Sequence, residues 1–267
     1  MCGRYSAAAD LDELAERFQA DATPAEAAGH QPNWNVAPTS QVLVVTAAAE
    51  GSGDEPGEDG DADGQAARQL RKLRWGLVPA WAKDTKTGNR MINVRSESVT
   101  DKTTFKRLLA RSRCILPADG FYEWQTLDDD EGAEAGSGKR RPRKQPFYIT
   151  ARDGGPLALA GLWTVNKHAD PSGPVETCTI LTTEANRFMS TMHHRMLVIL
   201  PPEAWDTWLD PEVKDLDRLA GLLKPAPDDL LQMWPVDTAV NSARSNGPEL
   251  TRVLEGHEPR VWEPAAS

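Results

Sequence analysis

The chain has 267 residues, is 39% hydrophobic, and carries 30 Lys and Arg against 40 Asp and Glu, a formal net charge of −10. This length suits one large domain or two small ones, and no apolar run approaches the roughly 18 residues of a membrane-spanning helix. The cysteines Cys2, Cys114 and Cys178 are few and far apart, which argues against a disulfide framework or a zinc site and predicts a cytoplasmic protein. No charged segment followed by an apolar stretch opens the chain, so we expect no signal peptide.

The charge is distributed unevenly along the chain. Seven acidic residues lie within 49–67 and five within 127–135, with no basic residue among them. Without these twelve, 28 acidic residues face 30 basic ones. The basic residues cluster at 68–74, 102–113 and 139–144, which is typical of a solvated surface but also suits a polyanionic partner. Because the acidic stretches lack apolar periodicity, we interpret them as loop insertions at about 48–67 and 127–144.

Helices and strands are predicted in an irregular order. Leu11, Leu14 and Phe18 recur at helical spacing after Asp10, a good N-cap, and predict a helix over 10–20. Shorter helical segments are predicted at 103–110, 183–190, 203–209 and 213–223. Apolar runs bounded by turn residues predict strands at 42–47, 70–78, 114–124 (broken at Asp119-Gly120), 147–151, 157–165, 176–182 and 196–200.

This order of elements favours the α+β class. Regular alternation of strand and helix is missing, so we expect a curved, mainly antiparallel sheet or barrel-like core with peripheral helices. We expect a single domain over 2–255, interrupted only by the two acidic insertions, and a C-terminal tail over 256–267 for which no structure is predicted.

The opening Met1-Cys2-Gly3-Arg4-Tyr5 contains the most reactive candidate group. A small residue in second position permits removal of Met1, which would leave Cys2 with a free amine and a thiol on adjacent carbons. Such a 1,2-aminothiol condenses with an aldehyde to a Schiff base and then closes a thiazolidine ring. The α-amino pKa of about 7.7–8.0 leaves much of the amine uncharged near neutral pH, unlike a lysine at about 10.4. An incidental cysteine is the alternative.

Five further segments place polar residues inside or beside apolar, strand-like sequence. They are Asn33-Trp34-Asn35-Val36-Ala37-Pro38-Thr39; Arg74-Trp75-Gly76-Leu77-Val78-Pro79-Ala80-Trp81; Asn93-Val94-Arg95-Ser96-Glu97; 114–124, which ends in Phe121-Tyr122-Glu123-Trp124; and Thr182-Thr183-Glu184-Ala185-Asn186 with Met192-His193-His194-Arg195-Met196.

Together with Cys2 these segments resemble the SRAP family, the abasic-site processing proteins first described as SOS response-associated peptidases. The resemblance runs from Cys2 to about Leu250 and leaves out the acidic insertions. It implies a sensor of abasic sites in single-stranded DNA whose Cys2 forms a thiazolidine with the ring-opened sugar aldehyde, with lyase and self-processing activities as further options. It implies a cytoplasmic or nucleoid-associated protein. We further expect that the protein needs neither cofactor nor metal, does not bind membranes, and is a monomer.

The resemblance also assigns catalytic residues. Glu123 matches the family's catalytic Glu, and its aromatic neighbours favour a raised carboxyl pKa suited to acid–base work. A surface ion pair is the alternative. His193 matches the active-site His, although a structural His is the alternative and Leu197 replaces the family's usual Pro. Neighbours on a strand point to opposite faces, so His193 and His194 are not expected to share a metal ion. Asn93 is expected to hold the Cys2 backbone or a sugar hydroxyl.

DNA-binding residues are expected in the same motifs. Arg95 and Arg4 suit phosphate, and Trp75 and Trp81 suit stacking on bases, although we expect at least one of the two to be core. The remaining candidates are Asn35, Pro38, Thr39, Gly76, Thr182, Thr183 and Asn186.

Two other functions stay open at this point. One is a cysteine-type processing peptidase with Cys2 as nucleophile and His193 as base. The other is a nucleic-acid-binding module in which Cys2 is incidental, and whose salt-dependent binding would survive loss of Cys2.

Overall fold

The structure is a computed structural model that describes residues 2–22, 29–48, 67–127 and 143–264. The predicted acidic insertions therefore lie almost entirely outside the described residues.

Strands dominate the described part of the chain. They are β1 (Tyr5–Ala7), β2 (Ala20–Ala22), β3 (Asn33–Val36), β4 (Gln41–Ala47), β5 (Arg68–Trp75), β6 (Asn93–Arg95), β7 (Arg113–Ala118), β8 (Gly120–Thr126), β9 (Lys144–Ala151), β10 (Leu157–Asn166), β11 (Val175–Glu184), β12 (Arg195–Leu197), β13 (Leu231–Pro235) and β14 (Arg260–Val261). The α-helices are short: α1 (Leu11–Phe18), α2 (Thr103–Arg111), α3 (Arg187–Ser190), α4 (Trp205–Leu209) and α5 (Leu216–Ala220). Turns of 3-10 helix occupy Thr85–Arg90, Ser96–Ser98, Pro202–Ala204, Thr238–Asn241 and Pro248–Thr251.

Among these strands, one sheet closes into a five-stranded barrel. Its strands follow the order β11-β10-β7-β4-β5, and β5 then pairs in parallel with β11, where Thr177 lies opposite Arg74. The short strands β2, β6 and β12 extend this sheet, with β6 parallel to β11 and β12 antiparallel to it. Closure removes exposed strand edges from the barrel and gives it a continuous interior.

A second, antiparallel sheet carries the amino terminus. Its order is β14-β13-β9-β8-β1-β3, so β1 lies between β8 and β3. Tyr5 pairs with Phe121 on β8 and with Val36 on β3. This register brings the first described residues of the chain alongside the middle of β8.

The barrel strands are buried on both faces. On β4, Val42 and Val44 belong to a cluster that also contains Cys2 and Tyr5, whereas Leu43 and Val45 belong to a cluster with the peripheral helices. Adjacent residues on a strand point to opposite faces, so an uninterrupted apolar run is what a doubly covered strand requires.

The α+β class and the antiparallel, barrel-like core with peripheral helices are confirmed. The predicted helix over 10–20 is Leu11–Phe18, with Asp10 capping it through a bond to the Asp12 amide. The predicted helix over 183–190 is wrong in its first half, because β11 continues to Glu184 and the helix begins only at Arg187.

The C-terminal end supplies strands that the sequence did not predict. β13 pairs with β9, and β14, within the segment expected to be a tail, pairs with β13. Within the described ranges, no helix is long and apolar enough to cross a membrane.

Candidate active site at the amino terminus

Cys2 is buried and held by backbone contacts. Its side chain is 2% exposed, and its thiol donates to the Arg4 carbonyl oxygen at 3.1 Å. The Cys2 carbonyl oxygen accepts from Asn93 Nδ2 at 2.6 Å. Asn93 begins β6, so the barrel sheet fixes the residue that precedes β1 of the second sheet.

Glu123 lies beside Cys2 because of the β1–β8 register. Counting on from the Tyr5–Phe121 pair places Glu123 opposite the segment next to Cys2. Its side chain is 7% exposed, and burial raises the pKa of its carboxyl above the usual value. The direction agrees with the expectation from its aromatic neighbours.

The Cys2 thiol is kept protonated. Burial, followed by the negative charge of Glu123, raises its pKa to about 12. A thiol with this pKa is almost entirely neutral at pH 7, so the resting protein does not hold a preformed thiolate.

A small pocket joins these groups to the barrel. Its lining residues are Cys2, Phe121, Glu123, Thr182, Arg195, Met196 and Leu197. Arg195 is 7% exposed and forms two bonds to the Glu97 carboxylate, at 2.5 and 2.8 Å. It also donates to the Thr182 carbonyl oxygen at 2.7 Å. The pocket wall therefore contains a buried cation whose position is fixed from two sides.

Two buried polar atoms of this region have no hydrogen-bond partner among the described residues. They are Asn93 Oδ1 and Arg195 Nε. Buried polar groups are almost always paired, so each of these two atoms can take a partner from a bound molecule or from water. Asn93 is thus divided between two tasks, because its Nδ2 holds Cys2 and its Oδ1 can accept from a bound hydroxyl.

The tautomer of His193 follows from its backbone contact. Its Nδ1 accepts from the Arg195 amide at 2.9 Å, so the neutral ring carries its proton on Nε2. Burial, together with nearby positive charge, lowers the pKa of His193 below the usual value. At neutral pH this side chain is therefore a neutral donor through Nε2.

The expected orientation of the two histidines is wrong. His193 and His194 lie in the turn before β12, not on a strand, and their rings stack with centroids 4.3 Å apart and planes 24° apart. The rule of alternating faces does not apply to a turn. Within the described ranges, no group of three or more metal-ligating side chains is found.

The two candidate tryptophans have opposite environments. Trp75 is fully buried and packs edge-on against Tyr5, with the ring centroids 5.2 Å apart. Its Nε1 donates to the Ile92 carbonyl oxygen. Its faces are not available to a base, which corrects the expectation that it stacks on DNA. Trp81 is 67% exposed, on a loop held by two bonds from the buried Asn166.

Gly76 is also part of the scaffold. It has φ 126°, and a Cβ atom at this position would lie 2.7 Å from the Gly88 carbonyl oxygen. It is buried, so the expected contact with DNA is replaced by close packing of two loops.

Thr39 is exposed and Pro38 is partly buried; the Thr39 amide donates to the Trp75 carbonyl oxygen at 2.8 Å.

Arg4 and Asn35 tie the N-terminal strand to the C-terminal segment. Arg4 donates to Asn35 Oδ1 at 2.8 Å and to the Val240 carbonyl oxygen at 2.9 Å. Asn35 in turn donates to the carbonyl oxygens of Ser242 and Ser245. These bonds occupy the groups that were expected to contact phosphate or bases, so both side chains act here as structural ties.

The remaining DNA-binding candidates differ in their exposure to solvent. Thr182, Thr183 and Asn186 are buried, and Asn186 caps α3 by accepting from the Met189 amide at 2.8 Å. Arg95 is exposed at the end of β6, where it pairs with Thr182 in the strand register. Of this group, Arg95 alone presents its side chain to solvent.

The site contains one residue that the sequence analysis did not single out. Arg195 was noted only as part of the segment with His193, yet it lines the pocket and pairs with Glu97. An Arg inside an otherwise apolar strand was the available signal, because such a side chain is rarely buried without a partner.

The sequence and the fold both have close counterparts. The family described as SOS response associated peptidase (SRAP) matches residues 1–243. The abasic site processing protein YoqW of Bacillus subtilis is 38% identical, covering 96% of this chain and 100% of YoqW. The abasic site processing protein HMCES of Gallus gallus is 31% identical, covering 89% of this chain and 71% of HMCES.

A solved structure is similar in fold. The crystal structure of a protein from Bacteroides thetaiotaomicron covers 95% of this chain and 100% of its own, with a TM-score of 0.73 and 23% sequence identity. The family match over most of the sequence, together with relatives at these identities, shows that the chain belongs to the SRAP family.

Proposed function

We propose that this protein processes abasic sites in single-stranded DNA, and that Cys2, after removal of Met1, forms a thiazolidine crosslink with the sugar aldehyde. The observation that carries the proposal is the fixed position of Cys2 in a pocket with Glu123 and Arg195. The names of the relatives YoqW and HMCES support abasic-site processing.

The protonation states favour attack by the amine first. An α-amine with a pKa of about 7.7–8.0 is substantially neutral at pH 7–8, whereas the thiol, with its pKa raised to about 12, is not ionised. The amine adds to the aldehyde carbon to give a carbinolamine, which loses water to form a protonated imine. Glu123, whose pKa is raised by burial, supplies the proton that the departing hydroxyl needs.

Ring closure then uses the thiol. The sulfur adds to the imine carbon, its proton passes to the Glu123 carboxylate, and the imine nitrogen ends as a secondary amine. The net change is aldehyde plus aminothiol to thiazolidine plus one water. His193, a neutral donor through Nε2, suits a hydrogen bond to the sugar oxygen, and the unpaired Asn93 Oδ1 suits a sugar hydroxyl.

Lyase activity would compete at the imine stage. A protonated imine acidifies the neighbouring sugar C–H, and loss of that proton expels the 3′ phosphate by β-elimination. Closure of the ring removes the imine and so protects the strand. The balance between the two outcomes depends on how quickly the sulfur traps the imine.

The peptidase alternative receives less support from the same geometry. A cysteine peptidase needs a thiolate and a histidine that accepts its proton. Here the thiol pKa is raised, and the neutral His193 carries its proton on Nε2 because Nδ1 accepts from the Arg195 amide.

DNA outside the pocket would contact the exposed candidates. Arg95 is placed to pair with a phosphate, and Trp81 offers an indole face to a base next to the lesion. Single-stranded DNA suits this arrangement because its bases are free to stack on a side chain.

Intact mass spectrometry tests the proposal directly. The protein is measured alone and after mixing with a single-stranded oligonucleotide that contains one abasic site. We expect loss of the initiator methionine, and a covalent adduct equal to protein plus oligonucleotide minus one water. A protein that lacks Met1 and gives no adduct would contradict the proposal.

The variant Cys2→Ser separates the two chemical steps. It keeps the amine, so it should form an imine that is stable only after borohydride reduction. Cys178→Ser, at another buried cysteine, is the matched control and should crosslink without reductant. A stable adduct from Cys2→Ser without reductant would contradict closure by sulfur.

A further inference from the structure

The turn before β12 contains an imidazole pair whose second member has no assigned role. His193 and His194 stack with centroids 4.3 Å apart and planes 24° apart. His193 is partly buried, whereas His194 is exposed.

The backbone of this turn is fixed at both ends. The His193 amide donates to the Met189 carbonyl oxygen of α3 at 3.0 Å, and the His194 carbonyl oxygen accepts from the Ala185 amide at 3.1 Å. The next residue, Arg195, starts β12 and pairs with Glu184 of β11. With the main chain anchored on a helix and on a strand, the stacked ring of His194 limits the rotation of His193.

We propose that His194 is a positioning residue, which holds the His193 ring so that Nδ1 stays on the Arg195 amide and Nε2 remains the donor. The inference rests on the proposed function in one respect, that His193 acts on the sugar. The stack and the Nδ1 contact together fix both the plane and the tautomer of the ring. A single hydrogen bond would leave the plane of the ring free to turn about the bond.

The same contact makes the protonation of His193 sensitive to His194. A positive charge on one ring disfavours a positive charge on the other, and His194 contributes to the lowered pKa of His193. The other charges that act on His193 are the amino terminus and Arg195. Glu97 partly neutralises Arg195. Glu123 and Cys2 line the pocket together with Arg195, and Glu184 faces Arg195 in the strand register.

Three variants at the exposed position separate stacking from charge. His194→Phe keeps an aromatic ring without charge, His194→Ala removes the ring, and His194→Asp places a negative charge beside His193. NMR of the imidazole nitrogens and carbons reports the tautomer and the pKa of His193 in the protein without DNA. We expect His194→Phe to keep the Nε2–H tautomer and His194→Ala to give a mixture of tautomers.

The charge variant gives the larger shift. We expect His194→Asp to raise the pKa of His193 by about one pH unit, since an opposite charge at this distance favours the protonated ring. An unchanged tautomer in His194→Ala would overturn the inference, whatever the DNA chemistry shows.

Crosslinking to an abasic oligonucleotide, measured between pH 5 and 8, supplies the second readout. If His193 acts as proposed, the low-pH limb of the rate should move with the pKa of His193 in His194→Asp. His194→Phe removes only the positive charge of His194, so it should move the limb less and keep its height. An altered pKa with an unaltered crosslinking profile would overturn the role of His194 in the reaction. Loss of all crosslinking in the parent protein would instead count against the proposed function, while the NMR result would stand.

Discussion

Two pockets of opposite character are found in the described part of this protein. The larger has a volume of about 410 Å³ and is walled by apolar side chains such as Leu157, Ile199 and Trp205, with five prolines around them. Its charged residues, including Glu203 and Lys224, are exposed. The smaller, at Cys2, is so narrow that it leaves no room for a water molecule.

The smaller pocket carries the groups that can do chemistry. Burial raises the pKa of both Cys2 and Glu123, and Asn93 Oδ1 and Arg195 Nε lack partners among the described residues. Among the described residues that line the larger pocket, no buried polar side-chain atom lacks a partner. The larger pocket therefore has the room for a small apolar group, whereas the smaller one has the buried ionisable groups that are typical of a reactive site.

The largest predicted effect is that of removing the buried carboxyl of Glu123 from the smaller pocket. Glu123→Gln should slow crosslinking at saturating DNA by about 100-fold or more, because general acid–base groups contribute roughly 10²–10⁴. Glu203→Gln, at the rim of the larger pocket, is the matched control and should leave the rate unchanged. Equal rates for the two variants would remove Glu123 from the mechanism.

The pH dependence of the same variants sharpens the comparison. Because burial raises the pKa of Glu123, its carboxylate is lost at a higher pH than an ordinary glutamate as the solution is acidified. On acidification, the rate of ring closure should therefore begin to fall at a higher pH than an ordinary glutamate would give. This inflection should be missing in Glu123→Gln. Single-turnover crosslinking between pH 4 and 9 measures it.

The next effect is the loss of the clamp on Cys2. Asn93→Ala removes the bond to the Cys2 carbonyl oxygen, and a small displacement of a reacting group costs up to about 100-fold. We expect a slower rate at saturating DNA and unfolding only slightly easier than in the parent. Asn246→Ala, which also removes bonds to backbone groups, at Trp34 and Pro32, is the control for lost stability alone.

A smaller effect is expected at the exposed indole. Trp81→Ala should weaken binding of single-stranded DNA by about 1–3 kcal/mol, the range measured for a base stacked on an aromatic side chain. Trp81→Phe should recover part of the affinity. Val253→Ala, at another exposed apolar side chain, should have no effect on titrations of labelled oligonucleotide. Normal affinity in Trp81→Ala would show that the exposed Trp81 indole does not contribute to DNA binding.

The smallest effect concerns a single phosphate contact. Arg95→Ala should weaken DNA binding several-fold and reduce the slope of log K against log salt by about 0.7, the value for one phosphate on a single strand. Crosslinking at saturating DNA should change little. Lys224→Ala at the larger pocket is the control, and an identical salt slope in both variants would argue against the phosphate role.

Much of the barrel could be predicted from the sequence because its strands are buried on both faces. The uninterrupted run Val42-Leu43-Val44-Val45 has no other stable placement in a water-soluble sheet, and the capped periodicity after Asp10 defines α1. β1 and β3 were not predicted, since each has only three or four residues and both are stabilised by partners distant in sequence.

The site was predicted only where the local sequence determines the environment. Aromatic neighbours suffice to predict a desolvated Glu123, as the structure shows. Whether Trp75 or Trp81 faces solvent depends on how the loop packs against Gly88 and Asn166, which local sequence does not encode. Likewise, one of the hydrogen-bond acceptors for Arg4 is the Val240 carbonyl oxygen, more than two hundred residues away in the sequence.

The burial of Cys2 also sets the timing of its own maturation. An aminopeptidase must draw the first two residues of its substrate into its own catalytic cleft. In the folded protein the Cys2 side chain is buried and its carbonyl oxygen is bonded to Asn93, so the second residue cannot be drawn out. We therefore expect the initiator methionine to leave while the chain is still emerging from the ribosome, before β1 docks between β3 and β8.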